Sequence, residues 1–223
     1  MTIMDPDAYP NHRVPDTAAH RFNGQLLVSD QVSRDDVATV WRELEAILKA
    51  GVPGAVVELG CYVGTTSLFI RRLLDQVGQS GAREFHVYDS FQGLPEKVSQ
   101  DSSAAGIEFT AGKLSVSKKE FLQQFRAAHL EPPVVHKGWF DDLTGADIPE
   151  PIAFAFLDGD FYSSILTSLK LVWPKLSPGA AVLIDDYQRE QLPGVERAIR
   201  DFFHGKPTPP LRATHNIAII IKK

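Results

Sequence analysis

From residue 54 onward, short apolar runs alternate with segments of helical periodicity. The helical segments carry apolar residues at spacings of three and four, which places them on one face of a helix. The predicted strands cover residues 55–59, 84–88, 134–136, 152–157, 180–184 and 216–222, and the predicted helices residues 65–77, 118–129, 162–173 and 194–203. Strands that alternate with helices predict an α/β fold, with a doubly wound, mostly parallel sheet and helices on both of its faces.

The chain of 223 residues is long enough for one sizeable domain of this class. Residues 1–32 are rich in polar and helix-breaking residues and show no sustained period, so we predict an N-terminal arm there. Ser33, followed by two acids, is typical of a helix N-cap and opens a single domain over residues 33–223. An arm needs a surface to pack on, so a homodimer is one expectation.

Charge and cysteine content narrow the expected partners and location. The formal net charge is -5 and no run of basic residues is present, which disfavours nucleic acid and anionic membranes as partners. Cys61 is the single cysteine, so no internal disulfide can form. The N-terminal region has no apolar core of the kind that signal peptides carry. We therefore expect a cytoplasmic protein.

Four acids follow two of the predicted buried strands. Asp158 and Asp160 come after residues 152–157, and Asp185 and Asp186 come after residues 180–184. The carboxyl ends of parallel strands meet at one edge of the sheet, which is where α/β proteins bind their ligands. Four carboxylates at one edge repel each other unless a positive charge joins them. The sequence therefore predicts a divalent cation at this edge.

The first predicted strand leads through a glycine turn into a helix. Glu58 precedes the turn, and Gly60 and Gly64 bound it, a spacing that differs from the dinucleotide pattern GxGxxG. The charge of Glu58 suits an ammonium group and would repel a pyrophosphate. Asp89 ends the second strand, where an acid typically accepts hydrogen bonds from ribose hydroxyls. A nucleoside with a cationic tail fits both acids, which favours S-adenosylmethionine over a nicotinamide dinucleotide.

Four motifs in this order resemble the macrocin O-methyltransferase family, a group of metal-dependent class I enzymes that methylate sugar hydroxyls of natural products. The motifs are YDSFQGLPE at residues 88–96, KGWF at 137–140, LDGDFYSS at 157–164, and PKLSPG at 174–179 running into IDDY at 184–187. The resemblance covers about residues 54 to 203. It implies a Rossmann-like methyltransferase sheet whose C-terminal strand is antiparallel.

The resemblance also implies roles for individual residues. The metal-binding acids of the family match Asp158, Asp185 and Asp186, and its general base matches Asp160. Its cofactor-binding positions match Glu58, Gly60 and Asp89, with Ser90 and Trp139 near the adenine. The implied cofactors are S-adenosylmethionine and Mg²⁺, and the implied acceptor is a small hydroxylated molecule, a sugar bearing a vicinal diol.

Two other functions stay open at this point. A catechol-type O-methyltransferase would use a similar acid trio on an aromatic diol. A non-catalytic nucleoside-binding protein of the same fold would not need the four acids that follow the two buried strands. The presence of these acids argues against it, namely Asp158, Asp160, Asp185 and Asp186. His136 and His215 are candidates for contacts with the cofactor and the acceptor, respectively, although their spacing alone assigns neither role.

Overall fold

The computed structural model describes residues 27–207 and 209–223. Most of the predicted N-terminal arm therefore lies outside the described residues. The division into an arm of residues 1–32 and a single domain of residues 33–223 stays a prediction.

In the described part of the chain, seven strands form one mixed sheet in the order β3-β2-β1-β4-β5-β7-β6. The first five strands pair in parallel, and β7 runs antiparallel to both β5 and β6. The strands are β1 Ala55–Leu59, β2 Phe85–Asp89, β3 Val134–Lys137, β4 Ile152–Leu157, β5 Leu176–Ile184, β6 Leu211–Thr214 and β7 Ile217–Ile221. The predicted doubly wound, mostly parallel sheet with an antiparallel C-terminal strand is confirmed.

Within residues 27–207 and 209–223, five α-helices connect or precede these strands. They are α1 Arg34–Lys49, α2 Thr65–Gln76, α3 Lys118–Ala127, α4 Tyr162–Val172 and α5 Gly194–Phe203. Ser33 caps α1 and Ser117 caps α3, each through a reciprocal capping box with the acid three residues later. Helix α1 packs against α2, and α4 packs against α5. None of the helices in the described part of the chain is long and apolar enough to cross a membrane.

The C-terminal region differs from the predicted one. Strand β6 was not predicted, because the sequence LRAT carries a charge and no apolar run; its pairing with β7 makes it a strand. Strand β5 begins at Leu176, four residues earlier than predicted, where Leu176 pairs with Ile152. Helix α4 ends at Val172 and a 3₁₀ turn follows, since Pro174 cannot donate a helical hydrogen bond.

The order of the strands places the candidate site. Strands β1 and β4 lie side by side at the centre of the sheet and are buried throughout. The chain winds outward from β1 toward β3 and then outward from β4 on the other side, so the winding reverses between them. In sheets of this kind ligands bind at the carboxyl ends of the strands where the order reverses. Residues 58–60 and 157–160 stand at that point.

Candidate active site

A cavity of ≈380 Å³ lies at the carboxyl ends of β1, β2, β4 and β5. All nine residues that the sequence assigned to a site line it, namely Glu58, Gly60, Asp89, Ser90, Trp139, Asp158, Asp160, Asp185 and Asp186. Neither His136 nor His215 lines the cavity. The ring of His136 stacks on Tyr88 with centroids 4.3 Å apart, and Nε2 of His215 lies 3.7 Å from Oδ2 of Asp35.

Three acids meet because of the register between β4 and β5. Leu157 pairs with Ile184, so the residues that follow them come together beyond the sheet. The amide N–H of Asp185 donates to the carbonyl of Leu157 over 3.0 Å, and this hydrogen bond holds the end of β5 beside the end of β4. One carboxylate oxygen from each of Asp158, Asp185 and Asp186 lies within 4.8 Å of the others.

The electrostatic state of the cluster follows from burial and crowding. Burial, followed by the charges of Asp160 and Asp186, raises the pKa of Asp158 well above its usual range. Burial, with the charges of Asp158 and Asp186, does the same to the pKa of Asp185. Without a counter-ion, ionising all of these carboxylates is unfavourable.

Arg189 is the one basic side chain among the described residues that line the cavity. Its Nη1 donates to Oδ1 of Asp186 over 2.6 Å, and this hydrogen bond opposes the rise that burial causes in the pKa of Asp186. The sequence analysis missed Arg189. A basic residue three positions after an acid pair was the available signal, but only the fold shows that it turns back toward the acids.

Asp160 lies at the entrance to α4 beside this cluster. Its backbone is left-handed, with φ 57°, which directs the chain from β4 into the helix. Burial, together with the charges of Asp186 and Asp185, raises the pKa of Asp160 well above its usual range, and Arg189 opposes the shift. A carboxylate with a raised pKa is a stronger base once it is ionised.

A buried acid from a distant segment positions the start of α4. Asp101 is 1% exposed, and its Oδ1 accepts from the amide N–H of Tyr162 over 2.7 Å. Its Oδ2 accepts from the amide N–H of Val98 over 3.0 Å. Asp101 therefore ties the connection between β2 and α3 to the helix that follows Asp160. The sequence analysis missed it, because no local pattern links residues so far apart.

Glu58 lies 1% exposed on β1 at the inner wall of the cavity. Burial raises its pKa to about 8, the nearby charge of Asp89 adds to the rise, and a hydrogen bond from the hydroxyl of Ser67 opposes it. The buried hydroxyl of Thr65, at the start of α2, also lines the cavity and has no hydrogen-bond partner among the described residues. A ligand with both an ammonium and a carboxylate would satisfy these groups.

Asp89 organises the turn above β1. Its Oδ2 accepts from the amides of Cys61 and Tyr62 over 2.9 and 3.2 Å, and its Oδ1 accepts from the amide of Phe91 over 2.7 Å. A carboxylate has about four acceptor positions, so about one remains for a ribose hydroxyl.

Burial raises the pKa of the Cys61 thiol well above its usual range, which leaves it un-ionised and unsuited to nucleophilic catalysis.

Gly60 is required by packing between strands. A side chain there would place its Cβ 1.8 Å from the carbonyl oxygen of Asp158. The residue thus lets the turn after β1 lie directly against the turn after β4, which brings the two halves of the cavity together.

The hydroxyl of Ser90 accepts from the amide of Gln92 and donates to the carbonyl of Gly93, so it stabilises the turn that follows β2. Trp139, two residues after the end of β3, also lines the cavity.

The chemistry of the acid cluster fits a hard divalent cation. Opposite ligands of Mg²⁺ lie about 4.2 Å apart, because each oxygen stands about 2.1 Å from the ion. The three carboxylate oxygens of Asp158, Asp185 and Asp186 lie within 4.8 Å of one another. They would draw together around a bound ion, because neighbouring ligands of an octahedral Mg²⁺ stand about 3 Å apart. Carboxylates are also the ligand type that Mg²⁺ prefers.

The profile of one protein family, described as Macrocin-O-methyltransferase (TylF), matches residues 20–223. The chain belongs to this family. It is similar to the 8-demethyl-8-(2,3-dimethoxy-alpha-L-rhamnosyl)-tetracenomycin-C 4'-O-methyltransferase of Streptomyces olivaceus, with 38% identity over 150 residues, which are 65% of this chain and 57% of that protein. The Mycinamicin III 3''-O-methyltransferase of Micromonospora griseorubida is 31% identical over 167 residues, which are 71% of this chain and 64% of that protein. The matched part thus spans less than two thirds of these relatives.

Solved structures share the fold of this family member. The O-methyltransferase NovP superposes with a TM-score of 0.74 at 26% identity, covering 86% of this chain and 81% of NovP. The calicheamicin methyltransferase CalS11 superposes with a TM-score of 0.67 at 20% identity, covering 95% of this chain and 94% of CalS11. At that lower identity the likeness of CalS11 shows the fold alone.

Proposed function

We propose that the protein is an S-adenosylmethionine-dependent, Mg²⁺-dependent O-methyltransferase that acts on a hydroxyl of a vicinal diol, carried by a sugar of a natural product. The observation that carries this proposal is the trio Asp158, Asp185 and Asp186, whose oxygens converge at the rim of the same cavity that Glu58 and Asp89 line. Membership in the macrocin O-methyltransferase family supports it.

The wall formed by β1, β2 and α2 suits the methyl donor. Glu58 offers a buried carboxylate to the amino group of the methionine part, and the unpartnered hydroxyl of Thr65 offers a donor to its carboxylate. Asp89 retains an acceptor position for a ribose hydroxyl, and Trp139 presents an aromatic face to the adenine. A donor bound in this way would share one cavity with the acids, because Glu58 lies on β1 and Asp158 directly follows the neighbouring strand β4.

The opposite wall suits the acceptor. A divalent cation held by Asp158, Asp185 and Asp186 would neutralise their charges and lower the pKa of the reacting hydroxyl. Asp160 removes the proton of that hydroxyl. The hydroxyl oxygen of the acceptor attacks the methyl carbon of the sulfonium, and the bond between this carbon and the sulfur breaks. A positioned base of this kind contributes on the order of 10² to 10⁴ in rate. Holding the two substrates in line supplies a further part of the acceleration.

The acceptor class rests on the relatives. The Streptomyces olivaceus relative is named for methylating a rhamnosyl tetracenomycin, and the Micromonospora griseorubida relative for methylating Mycinamicin III. A vicinal diol matches a metal site in which three protein carboxylates leave positions for two neighbouring hydroxyls. Glycosides of natural products are therefore the acceptors to test first, with catechols as the comparison.

The decisive experiment is a methyl-transfer screen over glycosides and catechols, with Mg²⁺ and with EDTA. We expect transfer to a glycoside diol that requires Mg²⁺ and is abolished in Asp185→Ala. A matched control is Asp141→Ala, which changes an acid of the cavity lining outside the trio and is expected to keep most of the activity. Full activity in EDTA would refute the metal mechanism, and transfer to catechols alone would refute the acceptor class.

A cytoplasmic location and a homodimer remain part of the proposal. Cell fractionation tests the first, and sedimentation at micromolar concentration tests the second. A sedimentation coefficient of a monomer at every concentration would refute the dimer. We expect that the purified protein binds neither DNA nor anionic vesicles, because its net charge is -5.

A further inference from the structure

Two histidines outside the candidate active site face each other across strands β2 and β3. The register pairs His86 with Val134 and Tyr88 with His136, and residues two apart on a strand share a face of the sheet. His86 and His136 are therefore diagonal neighbours on one face. Nδ1 of His86 lies 3.0 Å from Nε2 of His136, while the ring centres lie 5.3 Å apart. The two rings thus meet edge to edge through these nitrogens.

The separation of the two nitrogens matches that of neighbouring ligands on a late transition-metal ion. A bond from such an ion to imidazole is about 2.0–2.1 Å long, so two nitrogens at right angles stand about 2.9 Å apart and two at the tetrahedral angle about 3.3 Å apart. The observed 3.0 Å lies between these values. An ion can therefore replace the shared proton when each ring rotates toward it, while the two strands keep their register.

A carboxylate holds the other ring nitrogen of His86. Nε2 of His86 lies 3.1 Å from Oε2 of Glu84, and this contact assigns a ring proton to Nε2. The lone pair of Nδ1 is then directed at His136. A histidine that binds a metal commonly donates its second ring N–H to a carboxylate in this way, which fixes the tautomer and raises the basicity of the ligand.

Tyr88 holds the ring of His136 from one side. The two rings stack with centres 4.3 Å apart, and the hydroxyl of Tyr88 donates to the carbonyl of Asp147 over 2.8 Å. Tyr88 is itself buried, so packing keeps its ring in place. Solvent still reaches the histidines, because Val134 beside them is 51% exposed and the side chain of Glu84 is 73% exposed. An ion can therefore enter from water.

The charges around the two histidines suit a cation. Glu84 and Asp147 each bring a negative charge to the pair, and Lys118 brings the one positive charge named near His136. The ammonium of Lys118 already donates to a carbonyl of β3 over 3.0 Å. Among the described residues, the acid cluster of the candidate active site is the one group that offers three protein ligands. At the histidine pair, water must therefore complete the coordination.

We propose that His86 and His136 bind a late transition-metal ion of the class Zn²⁺, Ni²⁺ or Cu²⁺, with water in the remaining positions. These ions prefer imidazole nitrogen, whereas Mg²⁺ prefers carboxylate oxygens. The ion joins β2 to the edge strand β3. Asp89 ends β2 and Trp139 follows β3, and both line the candidate active site, so the ion ties together two parts of its wall. The inference does not depend on the proposed function.

Calorimetric titration of the tag-free protein with NiCl₂ tests the histidine site. Mg²⁺ is kept in large excess, so that carboxylate sites contribute little. We expect Ni²⁺ to bind, and its affinity to fall at least about tenfold in His86→Ala and in His136→Ala, and about tenfold or more in Glu84→Gln. The matched control is His204→Ala, which removes an exposed histidine elsewhere and is expected to leave the affinity unchanged.

Two further measurements make the test independent of how well a single variant folds. At a concentration of 100 times its Kd, Ni²⁺ should raise the Tm of the wild type by about 5–10 °C, and it should not raise the Tm of either histidine variant. Electron paramagnetic resonance of the Cu²⁺ complex should show coupling to two imidazole nitrogens in the wild type and to one in each histidine variant. Thermal melts in EDTA identify the variants that are folded.

Three results would overturn the proposal. The first is a wild-type protein that does not bind Ni²⁺. The second is an affinity that stays the same in a folded His86→Ala or His136→Ala, or that falls equally in His204→Ala, since the ion would then lie elsewhere. The third is a wild-type Cu²⁺ spectrum with coupling to fewer than two imidazole nitrogens, which needs no variant.

Discussion

Glu58 provides a quantitative prediction, because its proton must leave when a cationic ligand arrives. Burial and the charge of Asp89 raise the pKa of this carboxyl from 4.5 to about 8. That shift corresponds to about 5 kcal/mol of free energy opposing ionisation in the ligand-free protein. At pH 7, one unit below its pKa, the group is about nine-tenths protonated. An ammonium beside it favours the charged form and lowers the pKa again.

Two measurable consequences follow from this protonation. If the bound ligand returns the pKa of Glu58 to near 4.5, binding at pH 7 releases about 0.9 proton. Below pH 8 the affinity must rise with pH, since a proton has to leave, and the expected slope is about tenfold per pH unit between pH 6 and 7. Above pH 8 the carboxyl is already ionised, so the affinity levels off.

Calorimetry with S-adenosylhomocysteine measures both quantities. Titrations at pH 7 in buffers of different ionisation enthalpy, with EDTA present, give the number of protons released. Glu58→Gln is the matched control, since it keeps the shape of the side chain and cannot ionise; its binding is expected to be weaker and to release no proton from this position. A wild-type release near zero, or an equal release in Glu58→Gln, would refute the assignment of Glu58 to the ammonium.

The same shift predicts the pH dependence of stability. The folded, ligand-free protein keeps the Glu58 proton up to about pH 8, whereas the unfolded chain loses it near pH 4.5. The folded state therefore binds more protons than the unfolded state between these values, and its stability falls as pH rises through that window. Thermal melts of the wild type and Glu58→Gln should converge at pH 5 and diverge toward pH 8, with the variant more stable.

Three further substitutions test other parts of the site. Asp160→Asn is expected to keep cofactor binding and to lower single-turnover methyl transfer by about 10² to 10⁴; an unchanged rate removes it as the base. Arg189→Gln frees Asp186 from a competing cation, so Mg²⁺ should bind about fivefold more tightly in a metal titration, and weaker binding would contradict this role. Asp101→Asn leaves one oxygen that can accept from the amide of either Tyr162 or Val98, so denaturant unfolding should show that the free energy of unfolding falls by about 1–3 kcal/mol. An unchanged midpoint would show that these two hydrogen bonds are not needed.

The order of apolar and polar residues along the chain made most of the fold predictable. Strands β1 and β4 have the predicted bounds because apolar residues at 55–57 and 152–157 lead into the turns that begin at residues 60 and 158. Helix α5 has its predicted bounds because apolar residues recur on one face after Pro193. Strand β6 was missed because only its partner β7 makes it a strand, and a sequence pattern does not show such a partner.

The candidate site was predictable to the extent that its residues follow strands. Asp158 and Asp185 are found at the sheet edge by their place after apolar runs, and the register between β4 and β5 then brings them together. Arg189 and Asp101 follow no strand and act through contacts made by the folded chain. Their roles depend on how separate segments pack, which local periodicity does not contain.

The backbone conformation of the site supports a functional reason for its acids. Among the described residues, eight that are not glycine adopt positive φ, and four of these line the candidate active site: Tyr62, Leu114, Asp160 and Asp186. A left-handed backbone costs such a residue about 1 kcal/mol or more, so it persists only where surrounding contacts impose it. For Asp160 and Asp186 the conformation directs mutually repelling carboxylates into one buried space. A fold selected for stability alone would gain by relaxing both residues, and Asp160→Gly should accordingly be more tolerable to folding than to methyl transfer. If the free energy of unfolding of that variant falls as severely as its rate of methyl transfer, the strain serves the fold.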